Sequence, residues 1–151
     1  MKTFRNLAEL PALVGQEVAV SDWLTITQEQ VNLFAQATGD HQWIHVDVER
    51  ARAGPFGAPI AHGFLTLSLL PKFIESAISI ENTRMGVNYG LNKVRFTSPV
   101  PVGSRLRARI KLLDCQPVDN GGMQMTWQVT VEREGGDKPA CVAESLTRRY
   151  P

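Results

Sequence analysis

His62-Gly63-Phe64-Leu65-Thr66-Leu67-Ser68-Leu69-Leu70-Pro71-Lys72-Phe73-Ile74-Glu75-Ser76-Ala77-Ile78 is the stretch that decides the fold. Phe64, Leu65, Leu67, Leu69, Leu70, Phe73, Ile74, Ala77 and Ile78 leave a helix of this sequence almost no polar face, so it is predicted to be covered on nearly all sides. Pro71 falls inside the run, where it removes one backbone donor and either kinks the helix or ends it early. Such a helix needs something wrapped around it. The second half of the chain offers four long strands: Met85 to Phe96, Arg105 to Gln116, Met123 to Glu134 and Pro139 to Tyr150. Apolar alternation runs through Leu106, Ala108, Ile110 and Leu112, and again through Met125, Trp127, Val129 and Val131. The clusters Asp119-Asn120-Gly121-Gly122 and Glu134-Gly135-Gly136-Asp137 suit tight antiparallel turns. A curved antiparallel sheet wrapped around a central apolar helix follows, an α+β arrangement.

Upstream of the helix the pattern is more broken. Asn6 to Val14 reads as a short helix, and Gln16 to Leu24 as a first strand with Val18, Val20 and Trp23 facing inward. Thr27 with Gln30 three residues later forms a capping box, after which Val31, Phe34, Ala35 and Thr38 recur at helical spacing until Gly39 stops the run. Asp47 to Ala53 has the length of a further helical turn or two, and Gly54, Pro55, Gly57 and Pro59 then enforce an irregular loop.

Composition narrows the possible partners. With 16 Lys and Arg against 15 Asp and Glu the net charge is +1, which gives no electrostatic case for nucleic acid or an anionic membrane. No segment approaches the ~18 uninterrupted apolar residues of a membrane span, and the first residues do not form a signal-peptide core. Cys115 and Cys141 lie in predicted strands without metal-like or redox spacing and read as buried free thiols. Residues 1–151 show no repeat and no linker-like shift in composition, so a single domain in the cytoplasm is expected.

The chemistry is concentrated in Thr38-Gly39-Asp40-His41-Gln42-Trp43-Ile44-His45 and in Ile60-Ala61-His62-Gly63-Phe64 at the mouth of the apolar helix. A carboxylate and an imidazole five residues apart, Asp40 and His45, can converge on one water for acid–base work. Gly63 has no side chain to keep a carbonyl oxygen from the amides at the helix start, where developing negative charge can be held. Blander readings stand beside these. Asp40 alone is a helix-end residue, His45 alone an ordinary loop histidine, and His62 a helix-start residue satisfied by backbone. Asp47 is favoured as a helix cap. Lys93, Arg95, Arg105, Arg107 and Arg109 alternate along strands and form either a solvated face or an anion-binding one. His41, His45 and His62 make no persuasive ligand set, so neither metal nor redox cofactor is expected.

The residues Phe34-Ala35-Gln36-Ala37-Thr38-Gly39-Asp40, then Ile44-His45, Ala51 and Ile60-Ala61-His62-Gly63, resemble the MaoC-like, (R)-specific enoyl-CoA hydratase group of the hot-dog fold. Asn92-Lys93-Val94-Arg95-Phe96 through Pro99-Val100-Pro101-Val102-Gly103 resembles the strand and turn downstream of that group's helix, so the likeness spans most of the chain. The wording around Asp40 and around Asn88 to Phe96 is most similar to the nodulation protein N-like branch. Two departures stand out. Gln42-Trp43 replaces the Asn-Pro of many members, and Pro71 falls where some carry a serine. The resemblance implies reversible hydration of a trans-2-enoyl-CoA thioester to the (R)-3-hydroxyacyl thioester. It implies Asp40 and His45 as the catalytic pair, the Gly63 amide as oxyanion donor, and His62, Phe64 and Asn92 near the substrate. It also implies a homodimer, which the long exposed strand edge favours on physical grounds. Hydrolysis of acyl-CoA thioesters by the same fold, and non-catalytic binding of an acyl thioester, are the alternatives.

Overall fold

A computed structural model describes residues 1–151. In chain order the strands and helices are β1 (Lys2–Phe4), β2 (Glu17–Val20), β3 (Leu24–Thr25), α1 (Gln28–Thr38), α2 (Trp43–Val46), α3 (Val48–Arg52), α4 (Gly63–Ser68) and α5 (Leu70–Ala77). They continue with β4 (Ile78–Ile80), β5 (Met85–Arg95), β6 (Arg105–Val118), β7 (Gly122–Arg133) and β8 (Cys141–Tyr150).

The four long strands form where alternation and turn residues placed them. Leu106, Ala108, Ile110 and Leu112 are all 0% exposed, and Met125, Trp127, Val129 and Val131 oppose them from β7 at 2% or less. At the β6–β7 turn Asn120 and Gly121 adopt φ of 61° and 70°, the paired positive φ that a two-residue hairpin turn requires. The sheet runs β2-β6-β7-β8-β5 with β3 also on β6, all antiparallel. Irregularities at Leu112/Asp114, Asn88/Gly90 and Leu91/Val94 each add local twist, which curls the sheet toward the helices. A parallel pair of β1 and β4 closes one end.

The apolar run is two helices rather than one. Pro71 sits in the first turn of α5, where its missing N–H has no partner to lose, and Leu69 at φ −84° and ψ −7° joins the two segments. Coverage is also less complete than expected. Phe73 and Leu70 are 1% and 3% exposed, whereas Phe64 is 66% exposed and Leu67 and Leu69 are half-buried, because α4 is uncovered toward the free edge of β5.

The amino-terminal third departs further from expectation. Leu7–Glu9 and Pro11–Leu13 are two 3-10 turns instead of a helix, since Pro11 cannot donate the bond that would carry the first turn onward. The first strand is broken in two, with a bulge between Glu17 and Ala19 that ends the simple alternation. Val18 is inward at 5%, but Val20 is 38% exposed, and Trp23 lies half-buried under the guanidinium groups of Arg105 and Arg107. The capping box forms as read: the Gln30 amide donates to Thr27 Oγ1, the Thr27 amide to Gln30 Oε1, and Gly39 ends α1 at φ 82°.

Candidate active site

Asp40 lies in the turn that follows α1, and its position is set by its neighbours. The Asp40 amide donates to Thr38 Oγ1 at 3.4 Å, and the Gln42 amide donates to Asp40 Oδ1 at 3.3 Å, a short turn in which an aspartate binds the backbone two residues on. Gln42 then acts as N-cap of α2, which makes Trp43 its first residue. Proline is accommodated at a first helical position, so Trp43 occupies a slot that either residue fills without breaking a bond. The indole is held by the Arg50 guanidinium 4.3 Å away and by Gly54, where a Cβ would come within 2.9 Å of it.

The single turn of α2 turns His45 inward to 6% exposure. Its Nδ1 lies 2.6 Å from the Ile60 carbonyl, and Gln28 from α1 donates to the His45 carbonyl at 2.8 Å. A carbonyl only accepts, so His45 Nδ1 carries the proton and Nε2 presents a lone pair. Burial pulls the imidazole below the usual histidine range; the bond to Ile60 opposes this, the proximity of His62 adds to it, and Asp40 opposes it. His45 is therefore neutral near pH 7, with an open acceptor.

His62 is 2% exposed and donates from Nε2 to the Asp40 carbonyl at 3.0 Å, the backbone satisfaction anticipated for a helix-start histidine. Its ring stacks on His45 with centroids 3.9 Å apart and 24° between planes. One ligand-capable atom from each of Asp40, His45 and His62 lies within 4.8 Å of the others. Separations of that size are within reach of one bridging water, since two bonds of ~2.8 Å span them. The sequence reading found no ligand set among the histidines; the fold brings His45 and His62 together with Asp40 closely enough to offer one.

Gly63 begins α4 immediately after His62. A Cβ there would stand 2.9 Å from the Phe96 ring, so the glycine is required by Phe96 as well as by any approaching oxygen. Phe96 stacks edge-on against Phe64 at 5.9 Å, and both are exposed, at 44% and 66%. Neither Phe96 nor the Ile60 carbonyl stood out in the sequence. Phe96, an aromatic one residue past a strand, carried a faint signal, whereas a carbonyl partner fifteen residues from His45 carries none.

Several expectations change. The two members of the pair are not enclosed alike: His45 is buried, whereas Asp40 is exposed because the turn carrying it lies at the surface. A cavity of about 590 Å³ lies elsewhere, between α5 and the β5, β7 and β8 strands, lined among others by Leu67, Ile74, Leu91, Trp127, Ser145 and Arg149. Leu67 reaches it; Leu65 and Phe73 are packed in the core instead. Asn92 is exposed and sits in the β5 irregularity between Leu91 and Val94. Asp47 caps α3, accepting from the Arg50 amide at 3.1 Å. Arg105 pairs with Glu134 at 3.0 Å, Arg107 with Glu132, and Arg109 with Glu17 at 3.1 Å, so these three form an ion-paired surface ladder, whereas Lys93 and Arg95 are exposed without a carboxylate partner. Burial raises the Glu132 carboxyl, but Arg107 and Arg109 outweigh it and hold it below the usual range. Cys115 and Cys141 are free, and burial pushes both thiols up to about 11. No helix is long and apolar enough to cross a membrane.

Residues 9–134 match the family described as MaoC like domain. The chain is 59% identical over 148 residues to 3-hydroxyacyl-thioester dehydratase Z of Mycobacterium tuberculosis, covering 98% of each. It is 49% identical to nodulation protein N of Rhizobium leguminosarum bv. viciae, covering 94% of this chain and 89% of that one. Among solved structures it is similar to the unliganded R-hydratase PhaJ1 from Pseudomonas aeruginosa, with TM-score 0.70 and 26% identity over 94% of this chain and 83% of that one.

Proposed function

This chain belongs to the MaoC-like dehydratase family, a hot-dog fold, and from that premise we propose that it is an (R)-specific hydratase of trans-2-enoyl-CoA thioesters. At the coarser level it is a hydro-lyase of the hydratase/dehydratase type. The observation that carries the finer reading is the closeness of the Asp40 carboxylate to the ring of a buried His45, with ligand-capable atoms within 4.8 Å of each other, a gap that one water can span, and with His45 Nδ1 committed to the Ile60 carbonyl.

In this reading Asp40 accepts one hydrogen bond from the water and aims its oxygen at C3 of the enoyl group. His45 Nε2 takes a proton as the O–C3 bond forms. Electron density moves from the C2–C3 double bond to the thioester oxygen, where the Gly63 amide meets it. One such donor in a dry site is worth ~3 kcal/mol. The imidazolium then returns its proton to C2 on the same face, so that water is added across the double bond and His45 ends neutral. Dehydration is the same path reversed. His45 rather than Asp40 is the base because its tautomer is fixed by Ile60, leaving an acceptor that burial keeps unprotonated.

The exposure of Asp40, Phe64 and Asn92 is consistent with a site that a second copy completes. β5 bonds only β8, so its outer edge is free along eleven residues, and Met85, Val87, Tyr89 and Leu91 are 41% to 54% exposed. A long, apolar, unpaired edge favours association. A homodimer through β5 would bring cover to Phe64 and Phe96 and leave both chains to meet the acyl thioester.

The test is hydration of crotonyl-CoA by the protein and by Asp40→Asn and His45→Gln, with folding checked by circular dichroism. Folded variants that retain less than about a hundredth of the activity are expected, as general acid–base groups contribute ~10²–10⁴-fold. Undiminished activity in both would end the assignment. Release of free thiol from saturated acyl-CoA would point to hydrolysis instead.

A further inference from the structure

His62 touches both members of the pair, through a bond to the Asp40 backbone and a face-to-face contact with His45. On the Phe34 side its ring meets an aromatic neighbour at 4.9 Å, and its Nδ1 is buried with no hydrogen-bond partner. A buried polar nitrogen left bare is unusual and calls for a reason. We propose that His62 is a positioning residue for the acid–base pair, a buried imidazole whose Nε2–H fixes the Asp40 turn and whose ring face holds His45 in line with it. The inference rests on the hydratase reading above.

The geometry supplies the reason for the bare nitrogen. With Nε2–H committed to a carbonyl, protonation of Nδ1 would place a positive charge where no acceptor waits, face to face with His45 at 3.9 Å. Two charges so placed repel strongly in a dry setting. The ionisable groups that act on His45 are His62 and Asp40; α1 presents the uncharged Phe34 and Gln28, and the Ile60 segment presents a carbonyl. The contact also defines distance. Asp40 hangs from His62 by its backbone and His45 rests on the same ring, so one side chain fixes the spacing of groups twenty-two and seventeen residues upstream of it.

Two substitutions separate the tether from the ring. Gln in place of His62 retains an amide donor of similar reach but has no ring. Phe keeps a ring face but has no donor. For His62→Phe, kcat for enoyl-CoA hydration is expected to fall about a hundredfold with KM within about threefold, the signature of a misplaced catalytic group. For His62→Gln, whose side-chain amide can still donate to the Asp40 carbonyl, kcat is expected to stay within about tenfold of the unaltered protein, again with KM within about threefold. A role confined to folding would lower yield or melting temperature without separating kcat from KM and without rescue by the conservative variant. Nitrogen NMR of histidine-labelled, unaltered protein needs no variant: His62 should show a protonated Nε2 and a bare Nδ1 at neutral pH. A protonated Nδ1, a His62→Phe enzyme with normal kcat, or a His62→Gln enzyme as impaired as His62→Phe would each overturn the inference. Asp40→Asn and His45→Gln serve as controls: if both stay active the hydratase reading itself falls, whereas inactive controls beside normal His62 variants remove only the role given to His62.

Discussion

Gly63→Ala tests the neighbourhood of the helix start through a contact that can be measured twice. The added Cβ would lie 2.9, 3.0 and 3.1 Å from three ring atoms of Phe96, against an ordinary carbon–carbon separation of ~3.5–4.0 Å, so the ring must move by ~0.5 Å or more. Phe96 is 44% exposed and can swing outward, which places the cost near the low end of overpacking, ~1 kcal/mol. For a chain of this size that lowers the melting temperature by ~2–4 °C. Activity should suffer more than stability. Part of the ~3 kcal/mol assigned to the Gly63 amide is lost if the backbone yields in place of the ring, giving a fall in kcat of roughly tenfold to a hundredfold. Calorimetry and crotonyl-CoA hydration on Gly63→Ala, Phe96→Ala and the double variant make a closed cycle. The ring is the obstacle, so Gly63→Ala should cost almost nothing in stability when Phe96 is already alanine. An equal loss in both backgrounds would refute the steric account, and unaltered kcat in Gly63→Ala would refute the oxyanion role.

The other expectations concern charge and assembly. His45 is held below the usual histidine range when folded, so the unfolded chain binds its proton first as pH falls; stability is full above about pH 6.5 and declines from there down to the folded value. Urea midpoints from pH 5 to 8 should show this slope, and His45→Gln should flatten it; the same slope in both proteins would contradict the assignment. Tyr89→Glu and Leu91→Lys on the free β5 edge should shift sedimentation toward a monomer and lower activity together, and an unchanged monomer in the parent protein would remove the dimer. Arg105→Ala should leave KM for the CoA thioester unchanged and stability within ~1 kcal/mol, as expected for an exposed ion pair; a marked rise in KM would restore the anion-binding reading of that face.

Much of this architecture was written into local patterns. Period-two alternation in β6 and β7, the Asn120-Gly121 turn, the Thr27/Gln30 capping box and the Gly39 stop each depend on a few adjacent residues, and each formed as read. The first strand failed because a bulge at Val18 is settled by pairing with β6, about ninety residues away, and not by the residues of β2 themselves. The helix split was half legible: Pro71 announced a break, but only packing decided that it would open a second helix.

The candidate site divides in the same way. Sequence alone determined which chemical groups are present and which lie close along the chain: Asp40 and His45 flanking one turn, and a glycine at a helix start. Tertiary structure alone decided that the Ile60 carbonyl would select the His45 tautomer, that His62 would stack on that ring, and that Glu17, Glu132 and Glu134 would pair with Arg109, Arg107 and Arg105. These contacts join residues fifteen to ninety-two positions apart. Their energies depend on distance and burial in space, which no local run of side chains encodes.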